Sequence, residues 1–264
     1  MKRIVALLLS LAFLLPGIAS ASLSTNLISY WKLDESSGNA SDSVGSESLT
    51  NTNTVSYDAG KINNGADFGS TNSNKWLNSS VEPGAGTGAI TMSGWINVTT
   101  APASGSLGTA FSHANNNGGS AIGDALDYWN VSGTLKLRYN RPQYGLQDNL
   151  LDYTVTLSTG TWYFVVITYD GSNQRLYVNG VLQAGPQAQS GVGTASNTSG
   201  VGLGQDRQDG ANHWFSGHVD EVGLWTRALS QAEITQLYNA GVGCQYSFAA
   251  CTSATPPFYW NWDF

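Results

Sequence analysis

The stretch 162–184 constrains the fold of this chain more than any other part of the sequence. Near its end the pair Asn179-Gly180 separates two apolar runs, and both residues tolerate the positive φ angles of a two-residue type I′ turn. An earlier turn signal lies at 169–173, where Tyr, Asp, Gly, Ser and Asn follow one another. The stretch therefore predicts a three-stranded antiparallel meander.

Short apolar runs separated by Gly, Asn, Asp and Ser recur along the rest of the chain, whereas helical periodicity is scarce. This spacing is typical of an all-β sandwich or barrel. The run 162–169 is apolar on both alternating faces, which indicates a strand covered on both sides or one that faces a ligand groove. The runs predicted as strands are 27–33, 66–68, 90–98, 135–139, 162–169, 175–178, 181–184, 200–204 and 217–225.

One short amphipathic helix is predicted after the last strand. Ser230 and Glu233 form a capping box, in which each side chain satisfies an amide at the start of the helix. Gly241 is expected to end the helix. The apolar face is made by Ile234, Leu237 and Tyr238.

The first 21 residues have the features of a secretory signal peptide. Lys2 and Arg3 precede an apolar run over 4–15, and small residues at 19 and 21 supply a cleavage pattern. The run is too short to span a bilayer, although an uncleaved anchor is the alternative. We expect a mature chain that begins near Ser22 and is secreted, to the extracellular space, the periplasm or the cell surface.

The acidic composition limits the classes of partner. The chain has 11 basic and 18 acidic residues, a formal net charge of −7. Binding to nucleic acid or to anionic lipid depends on clustered Lys and Arg side chains. We therefore expect no nucleic-acid partner, and no second stretch of the sequence has the length and apolar character of a membrane span.

The two cysteines, Cys244 and Cys251, are close together near the end of the sequence. In an oxidising compartment they are expected to form a disulfide. A metal site is disfavoured, because two cysteines without a nearby histidine do not supply four ligands. The closed loop is short, so the bond is expected to fix only a tail, 244–264, and to leave the main fold unconstrained.

The tail ends in alternating aromatic residues. As a strand they would form one aromatic face, and such a face is not left exposed without cause. It either docks on this domain or contacts a protein partner, and the sequence does not choose between the two. The residues are Phe258, Trp260, Trp262 and Phe264.

Six motifs follow one another along the chain. They are 30–35 (YWKLDE), 60–69 (GKINNGADFG), 90–96 (ITMSGWI), 162–182, 214–222 (WFSGHVDEV) and 227–230 (RALS). In this order they resemble the laminin-G-like jelly roll of the concanavalin-A-like superfamily, from about residue 27 to residue 243, and the domain is assigned to 22–243. The resemblance implies two antiparallel sheets packed face to face, with motif tryptophans at 31, 95, 162 and 225 in the core.

The resemblance also implies a structural Ca²⁺ site. Members of the superfamily often hold the ion with residues that correspond to Asp34, a backbone carbonyl near Gly65, and Asp220. Carboxylate and carbonyl oxygens are the ligands that Ca²⁺ prefers. The alternative is that Asp220 and Glu221 are solvated carboxylates beside a turn.

The sequence does not favour an enzyme. Retaining glucanases of this architecture carry two carboxylates about two positions apart on one strand, and we find no such pattern. Asp34-Glu35 and Asp220-Glu221 are adjacent pairs, whose members are expected to point to opposite faces of a strand.

The leading hypothesis is a secreted binding module for a carbohydrate or a glycosylated surface. Sugar sites combine aromatic rings with side chains that hydrogen-bond hydroxyl groups. Polar, loop-rich stretches with that chemistry contain the candidate ligand-binding residues Trp129, Arg138, Tyr144 and Arg207. The same polar strand face is also compatible with simple solvation. A structural or adhesive component that makes contacts through the aromatic tail is the alternative function.

Overall fold

The computed structural model describes residues 22–70, 74–79, 88–117, 120–141, 150–188, 200–205, 213–248 and 251 of the 264-residue chain. Four predicted features lie outside these ranges: the signal peptide at 1–21, Tyr144, Arg207 and the aromatic residues at 258–264. Within the described part of the chain, no helix has both the length and the apolar character needed to cross a membrane.

The described residues form fifteen strands and one α-helix, with a 3-10 turn (Asn239–Gly241) after the helix. The elements are β1 (Leu27–Trp31), β2 (Thr50–Thr52), β3 (Ser56–Ala59), β4 (Asn64–Asp67), β5 (Trp76–Asn78), β6 (Ile90–Val98), β7 (Leu107–Asn117), β8 (Ser120–Val131), β9 (Thr134–Asn140), β10 (Leu150–Thr154), β11 (Trp162–Tyr169), β12 (Asn173–Val178), β13 (Val181–Ala188), β14 (Val201–Leu203), β15 (Gly217–Trp225) and α1 (Gln231–Tyr238).

The strands form two antiparallel sheets, as predicted. The first sheet has the order β13-β12-β11-β6-β15-β4-β3, and β1 also pairs with β15. Strand β15 is therefore central, because β6 lies on one side of it while β4 and β1 share the other. The second sheet has the order β10-β9-β8-β7-β14-β5-β2. The all-β jelly-roll sandwich with one short C-terminal helix is confirmed.

The strongest local patterns were the best predictors of strands. Strands β6, β11 and β15 have the predicted bounds, and Asn179 and Gly180 form the predicted turn with φ angles of 50° and 78°. Strands β7 and β8 were not predicted, because Gly, Asn, Ser and Asp interrupt their apolar alternation. They are nevertheless long and pair along their whole length, so cross-strand pairing outweighs local propensity there.

The helix begins as predicted and ends earlier than predicted. The Ser230 side chain accepts a hydrogen bond from the Glu233 amide, and the Glu233 side chain accepts one from the Ser230 amide. The C-cap is Asn239, with φ of 47°, because asparagine tolerates the left-handed conformation. The prediction that Gly241 ends the helix is therefore wrong, since only the 3-10 turn reaches that residue.

The main hydrophobic core lies between the two sheets. Its side chains come from alternate positions of strands in both sheets, as expected for face-to-face packing. Most of them are fully buried, which gives this layer the character of a protein interior. The core includes Trp31, Phe68, Ile96, Phe111, Tyr139, Val165, Ile167, Leu203, Phe215 and Val222.

A second hydrophobic core covers the other face of the first sheet. Helix α1 packs there, with the Tyr238 ring stacked 5.8 Å from the Trp95 ring. The chain near Leu23 also packs there, and its carbonyl accepts a hydrogen bond of 2.7 Å from Trp225 Nε1. This layer contains Phe164 and Val166 of β11. It therefore confirms that β11 is covered on both sides.

The disulfide loop belongs to this second core. Cys244 and Cys251 are joined as predicted, with Cα atoms 5.6 Å apart. Within the loop, the rings of Tyr246 and Phe248 each lie 5.8 Å from the Tyr30 ring. The loop therefore packs on the main fold, while the prediction that the bond itself leaves that fold unconstrained stays a prediction.

Three of the four motif tryptophans are in the core as predicted. Trp31, Trp95 and Trp225 are at most 2% exposed. Trp162 is only partly buried, because it lies at the start of β11, with its ring against that of His218.

Candidate functional site

Three carboxylates gather in the first sheet, where β15 passes the segment after β1 and the turn before β4. We call Asp34, Asp220 and Glu221 the acidic cluster. Asp220 and Glu221 are only 0% and 2% exposed. The alternative that these two residues are solvated carboxylates is therefore wrong.

Asp220 is held by the turn that precedes β4. Its Oδ2 accepts hydrogen bonds from the amides of Lys61 and Ile62, at 2.8 and 2.9 Å. Gly65 lies beside it, since a Cβ placed on Gly65 would be 3.4 Å from the Asp220 Cβ. Its Oδ1 is buried and has no hydrogen-bond partner among the residues that the structure describes. Burial, with repulsion from Glu221, raises the pKa of Asp220 to about 9.

Glu221 enters the same cluster because β15 is irregular there. The register with β6 shifts after Asp220, and Glu221 has φ of 52°, so the strict alternation expected for this adjacent pair is broken. Its Oε2 accepts a hydrogen bond of 2.6 Å from the Tyr30 hydroxyl, and its Oε1 accepts one of 2.7 Å from Gln245 Nε2. Burial raises the pKa of Glu221 to about 7; repulsion from Asp34 adds to the rise, and both hydrogen bonds oppose it.

Asp34 completes the cluster from the segment after β1. Its Oδ1 accepts a hydrogen bond of 3.2 Å from the Asn64 amide, and its Oδ2 accepts one of 2.9 Å from Gln245 Nε2. One amide group of the disulfide loop thus contacts both Asp34 and Glu221. Among the described residues, no lysine or arginine forms an ion pair with these carboxylates.

This arrangement fits a hard cation. The unpartnered Oδ1 of Asp220 is an available ligand atom, and among the described residues no lysine or arginine is ion-paired with the cluster, although the charge of Lys32 lowers the pKa of Glu221. Carboxylate and carbonyl oxygens are the ligands of Ca²⁺ in proteins. The predicted ligands lie on neighbouring segments, since Asp34 accepts a hydrogen bond from the Asn64 amide and Asp220 lies beside Gly65. Glu221 and Gln245 contact this region as well, although neither was predicted as a ligand.

The second region of interest is the face of the second sheet that points away from the main core, which we call the polar face. The strand register places Asp127, Arg138 and Asp152 side by side across β8, β9 and β10. Trp129 and Lys136 form the next row. Two predicted ligand-binding residues, Trp129 and Arg138, are therefore neighbours.

Arg138 is already engaged within the protein. Its Nε and Nη2 donate to the Asp152 carboxylate at 2.6 and 3.0 Å, and its Cζ lies 3.7 Å from the centre of the Trp129 ring. Lys136 Nζ is 3.1 Å from the same carboxylate. Burial tends to raise the pKa of Asp152, but the hydrogen bonds from Arg138 and Lys136 outweigh it and lower that pKa. Because Arg138 is only 9% exposed, Trp129 is the more available partner for a ligand.

Two further tryptophans lie on the other side of the polar face. The rings of Trp76 and Trp214 are stacked, with centroids 5.2 Å apart and an interplanar angle of 17°. Between them and Trp129, the Thr109 hydroxyl donates a hydrogen bond of 2.7 Å to Asp127. Trp214 lies in a family motif, yet only the folded sheet shows that it lies against Trp76.

A cleft of about 630 Å³ opens beside Trp214. Leu107, which lines the cleft, pairs with Trp129 across β7 and β8, so the cleft adjoins the polar face. Aromatic rings next to hydroxyl and amide groups are the usual chemistry of a sugar site. The lining includes Asn74, Thr100, Ser106, Tyr128, Trp214 and Ser216.

The two-sheet architecture, the single C-terminal helix and the cleft beside the polar face define a concanavalin A-like β-sandwich. The chain belongs to the concanavalin A-like lectin/glucanases superfamily, since the Laminin_G_3 family matches residues 68–235. This finding confirms the resemblance inferred from the motifs. A comparison with curated proteins gives no match.

Solved structures share the fold at low sequence identity. Domain 4 of AbnA, a GH43 extracellular arabinanase from Geobacillus stearothermophilus in complex with arabinotriose, is 18% identical with a TM-score of 0.58, over 80% of this chain and 97% of that domain. Trypanosoma rangeli sialidase in complex with sialic acid is 16% identical with a TM-score of 0.62, over 85% of this chain and 35% of the sialidase. The botulinum neurotoxin serotype G binding domain is 12% identical with a TM-score of 0.62, over 81% of this chain and 50% of that domain.

Proposed function

We propose that this protein is a secreted, non-enzymatic module that binds carbohydrate at the cleft and polar face of the second sheet, with Ca²⁺ held by the acidic cluster. The observation that carries the proposal is the cleft beside Trp214, whose ring is stacked on Trp76 and whose lining also includes residues with hydroxyl and amide side chains. The arabinotriose bound to the similar arabinanase domain supports a carbohydrate ligand.

The recognition chemistry follows from the side chains that line the cleft. The partly exposed rings of Trp214 and Trp129 offer apolar faces on which the C–H groups of a sugar ring pack. Sugar hydroxyl groups need hydrogen-bonding partners of both kinds, because a buried hydroxyl without a partner costs binding energy. In the cleft, the partners are the side chains of Asn74, Thr100, Ser106 and Ser216.

The calcium ion has a structural role in this proposal. Asp34, the Gly65 carbonyl and Asp220 would hold it, and the ion would supply positive charge where the chain has only carboxylates. These ligands come from three separate segments of the first sheet, so the ion would tie the start of the domain to the central strand β15. The cluster lies in the first sheet and the polar face belongs to the second, so we assign the ion no contact with the sugar.

The carboxylates of the polar face support a binding role and not catalysis. A glycosidase needs a general acid, whose pKa is raised. Asp152 instead has a lowered pKa, and it is paired with Arg138 and Lys136. Asp127 accepts a hydrogen bond from Thr109 and pairs across the strands with Arg138.

The first test is calorimetric titration of the mature protein, from Ser22 onward, in calcium. The probes are arabinotriose, sialic acid and the members of a polysaccharide panel. We expect saturable binding to one sugar class, lost in Trp214→Ala and weakened in Trp129→Ala. Trp162→Phe is the matched control, because Trp162 lies in the first sheet, and its binding should equal that of the wild type. A folded protein that binds no probe would overturn the proposal.

The alternative function is adhesion through the C-terminal tail. The observation that favours it is the docking of Tyr246 and Phe248 on Tyr30, which anchors the start of the tail on the domain. Truncation after Cys251 keeps this loop and removes the residues that follow. Sugar binding should survive the truncation if the cleft is the site. Loss of self-association or of surface attachment in the truncated protein, without sugar binding by the full chain, would favour adhesion.

A further inference from the structure

Three potential metal ligands converge at one edge of the first sheet, apart from the acidic cluster. Asp58 is on β3, Asp67 is on β4 and His218 is on β15. The register pairs His218 directly with Asp67, and one ligand atom from each of the three side chains lies within 4.8 Å of the others. Three adjacent strands therefore present one imidazole and two carboxylates at the same point.

The distances match a small metal ion. His218 Nε2 is 3.0 Å from Asp58 Oδ1 and 3.7 Å from Asp67 Oδ1. Ligand atoms about 2.0–2.2 Å from a tetrahedral Zn²⁺ lie roughly 3.3–3.6 Å from one another. The observed separations bracket that range, so rotation of the exposed Asp58 side chain is enough to complete the geometry.

The negative charges of Asp58 and Asp67 at this edge also favour the binding of a cation. In the described part of the chain, neither Asp58 nor Asp67 forms an ion pair with a lysine or an arginine. A neutral His218 leaves two negative charges uncompensated, and a protonated one leaves a single negative charge. A divalent ion compensates both carboxylates, and it needs the imidazole in its neutral form.

The surroundings hold two of the three ligands in place. Asp67 accepts hydrogen bonds from the Gly69 amide at 2.8 Å and from the Ser56 hydroxyl at 3.3 Å. The His218 ring packs edge-on against Trp162, with centroids 6.2 Å apart. Such outer contacts fix the orientation of ligands and raise metal affinity. Asp58, whose side chain is 57% exposed, leaves a path for the ion from solvent.

We propose that Asp58, Asp67 and His218 form a second metal site that takes a divalent transition ion, with Zn²⁺ as its representative. An imidazole ligand suits Zn²⁺, Cu²⁺ or Ni²⁺ and not Ca²⁺, which takes oxygen ligands. Three protein ligands leave at least one coordination position for water or for an external group. The site is independent of carbohydrate binding, and it differs in chemistry from the acidic cluster.

The test is calorimetric titration of ZnCl₂ into the mature protein, in a buffer that contains excess CaCl₂. Calcium keeps oxygen-only sites from competing for the added metal. We expect one saturable zinc site per chain, with affinity reduced at least about tenfold in His218→Ala, because even an outer-shell partner contributes 10–100-fold. His213→Ala is the matched control, and it should bind zinc as the wild type does.

A second variant guards against misfolding. Asp58→Asn alters an exposed side chain, so it should leave the thermal unfolding midpoint unchanged while it weakens zinc binding. Anomalous diffraction at the zinc edge should place one peak among the three side chains. Either an absence of saturable binding, or zinc binding of equal affinity in His218→Ala and the wild type, would overturn the proposal.

Discussion

Two buried carboxylate sites in this sandwich differ in how their negative charge is compensated. Asp124 lies between the sheets, where its carboxylate pairs with Arg141 and accepts a hydrogen bond from the Tyr139 hydroxyl. The Arg141 guanidinium also lies 3.9 Å from the centre of the Tyr169 ring. Asp220, by contrast, has no cationic partner among the described residues.

The difference shows which site is complete without an added ion. Burial alone would lower the pKa of Arg141, but the charge of Asp124 raises it above its ordinary value. Burial of an uncompensated ion costs several kcal/mol, so a buried carboxylate without a cationic partner is either protonated, as the raised pKa of Asp220 indicates, or compensated by a bound cation. The Asp124 site is therefore compensated by the chain itself, whereas the Ca²⁺ proposed above would compensate the acidic cluster.

The largest effect is expected from breaking the internal pair. Arg141→Met should lower the free energy of unfolding by about 3–5 kcal/mol, because it leaves Asp124 buried and unpaired. Urea denaturation measures the loss. Arg175→Met is the control, since it removes a partly exposed pair with Asp170 and should cost less than about 1 kcal/mol. Equal losses in the two variants would contradict the comparison.

The next effect concerns calcium. Added CaCl₂ at about one hundred times the dissociation constant should raise the free energy of unfolding by about 2.7 kcal/mol. Asp220→Asn should abolish this gain, and without calcium it should not destabilise the protein at neutral pH, because the raised pKa of Asp220 already leaves that side chain uncharged. Thermal unfolding in CaCl₂ and in chelator checks both outcomes. The exposed substitution Asp170→Asn should keep the full calcium response, and a gain that survives in Asp220→Asn would refute the assigned site.

A smaller effect is expected where the disulfide loop meets the acidic cluster. Gln245→Ala removes hydrogen bonds to Asp34 and Glu221, and it should cost about 1–2 kcal/mol in calcium-free protein. The same change should speed the reduction of the disulfide by dithiothreitol. Gln236→Ala, which removes a contact of α1 with the Cys251 carbonyl, should also loosen the loop but leave calcium affinity unchanged. An unchanged reduction rate in Gln245→Ala would show that the contact does not hold the loop.

The smallest effect concerns the polar face and pH. The pKa of Asp152 is lower in the folded state than in the unfolded state. The pairing of Asp152 therefore stabilises the fold at a pH above the unfolded-state pKa of about 3.9, and this stabilisation is lost as the pH falls below that pKa. Because the side chains are partly exposed, the contribution should be about 1 kcal/mol or less. The difference in unfolding free energy between wild type and Asp152→Asn should therefore shrink as the pH falls from about 7 to about 3. A difference that does not change with pH would refute this account.

The parts of the fold that can be predicted from the sequence are those whose conformation depends on residues close together in sequence. The turn at Asn179-Gly180 depends on two residues that tolerate positive φ, and the helix start depends on Ser230 and Glu233. Strands β7 and β8 lack such a local signal. They pair with each other, β7 pairs also with the distant strand β14, and β8 pairs with its sequence neighbour β9. Alternation within one strand reveals none of these partners.

The candidate sites show the same limit. The grouping of Asp34, Gly65 and Asp220 followed from a family resemblance and not from spacing. The contact between Gln245 and Asp34 joins residues 211 positions apart, so no local pattern predicts it. The place of Glu221 in the cluster depends on an irregular strand, which the rule of alternating faces does not anticipate.

The central position of β15 has a consequence for the order of folding. This strand pairs with β1, β4 and β6, yet it is the last strand among the described residues, and the Tyr30–Glu221 hydrogen bond closes a separation of 191 residues. Contacts between segments so distant in sequence form slowly, because the intervening chain must first be brought together. A ribosome or a translocon delivers the N-terminus first. Strand β1 therefore has no β15 to pair with until nearly the whole domain has emerged. The first sheet therefore closes only after delivery of the domain is almost complete, and until then its edges are open to chaperones and to aggregation.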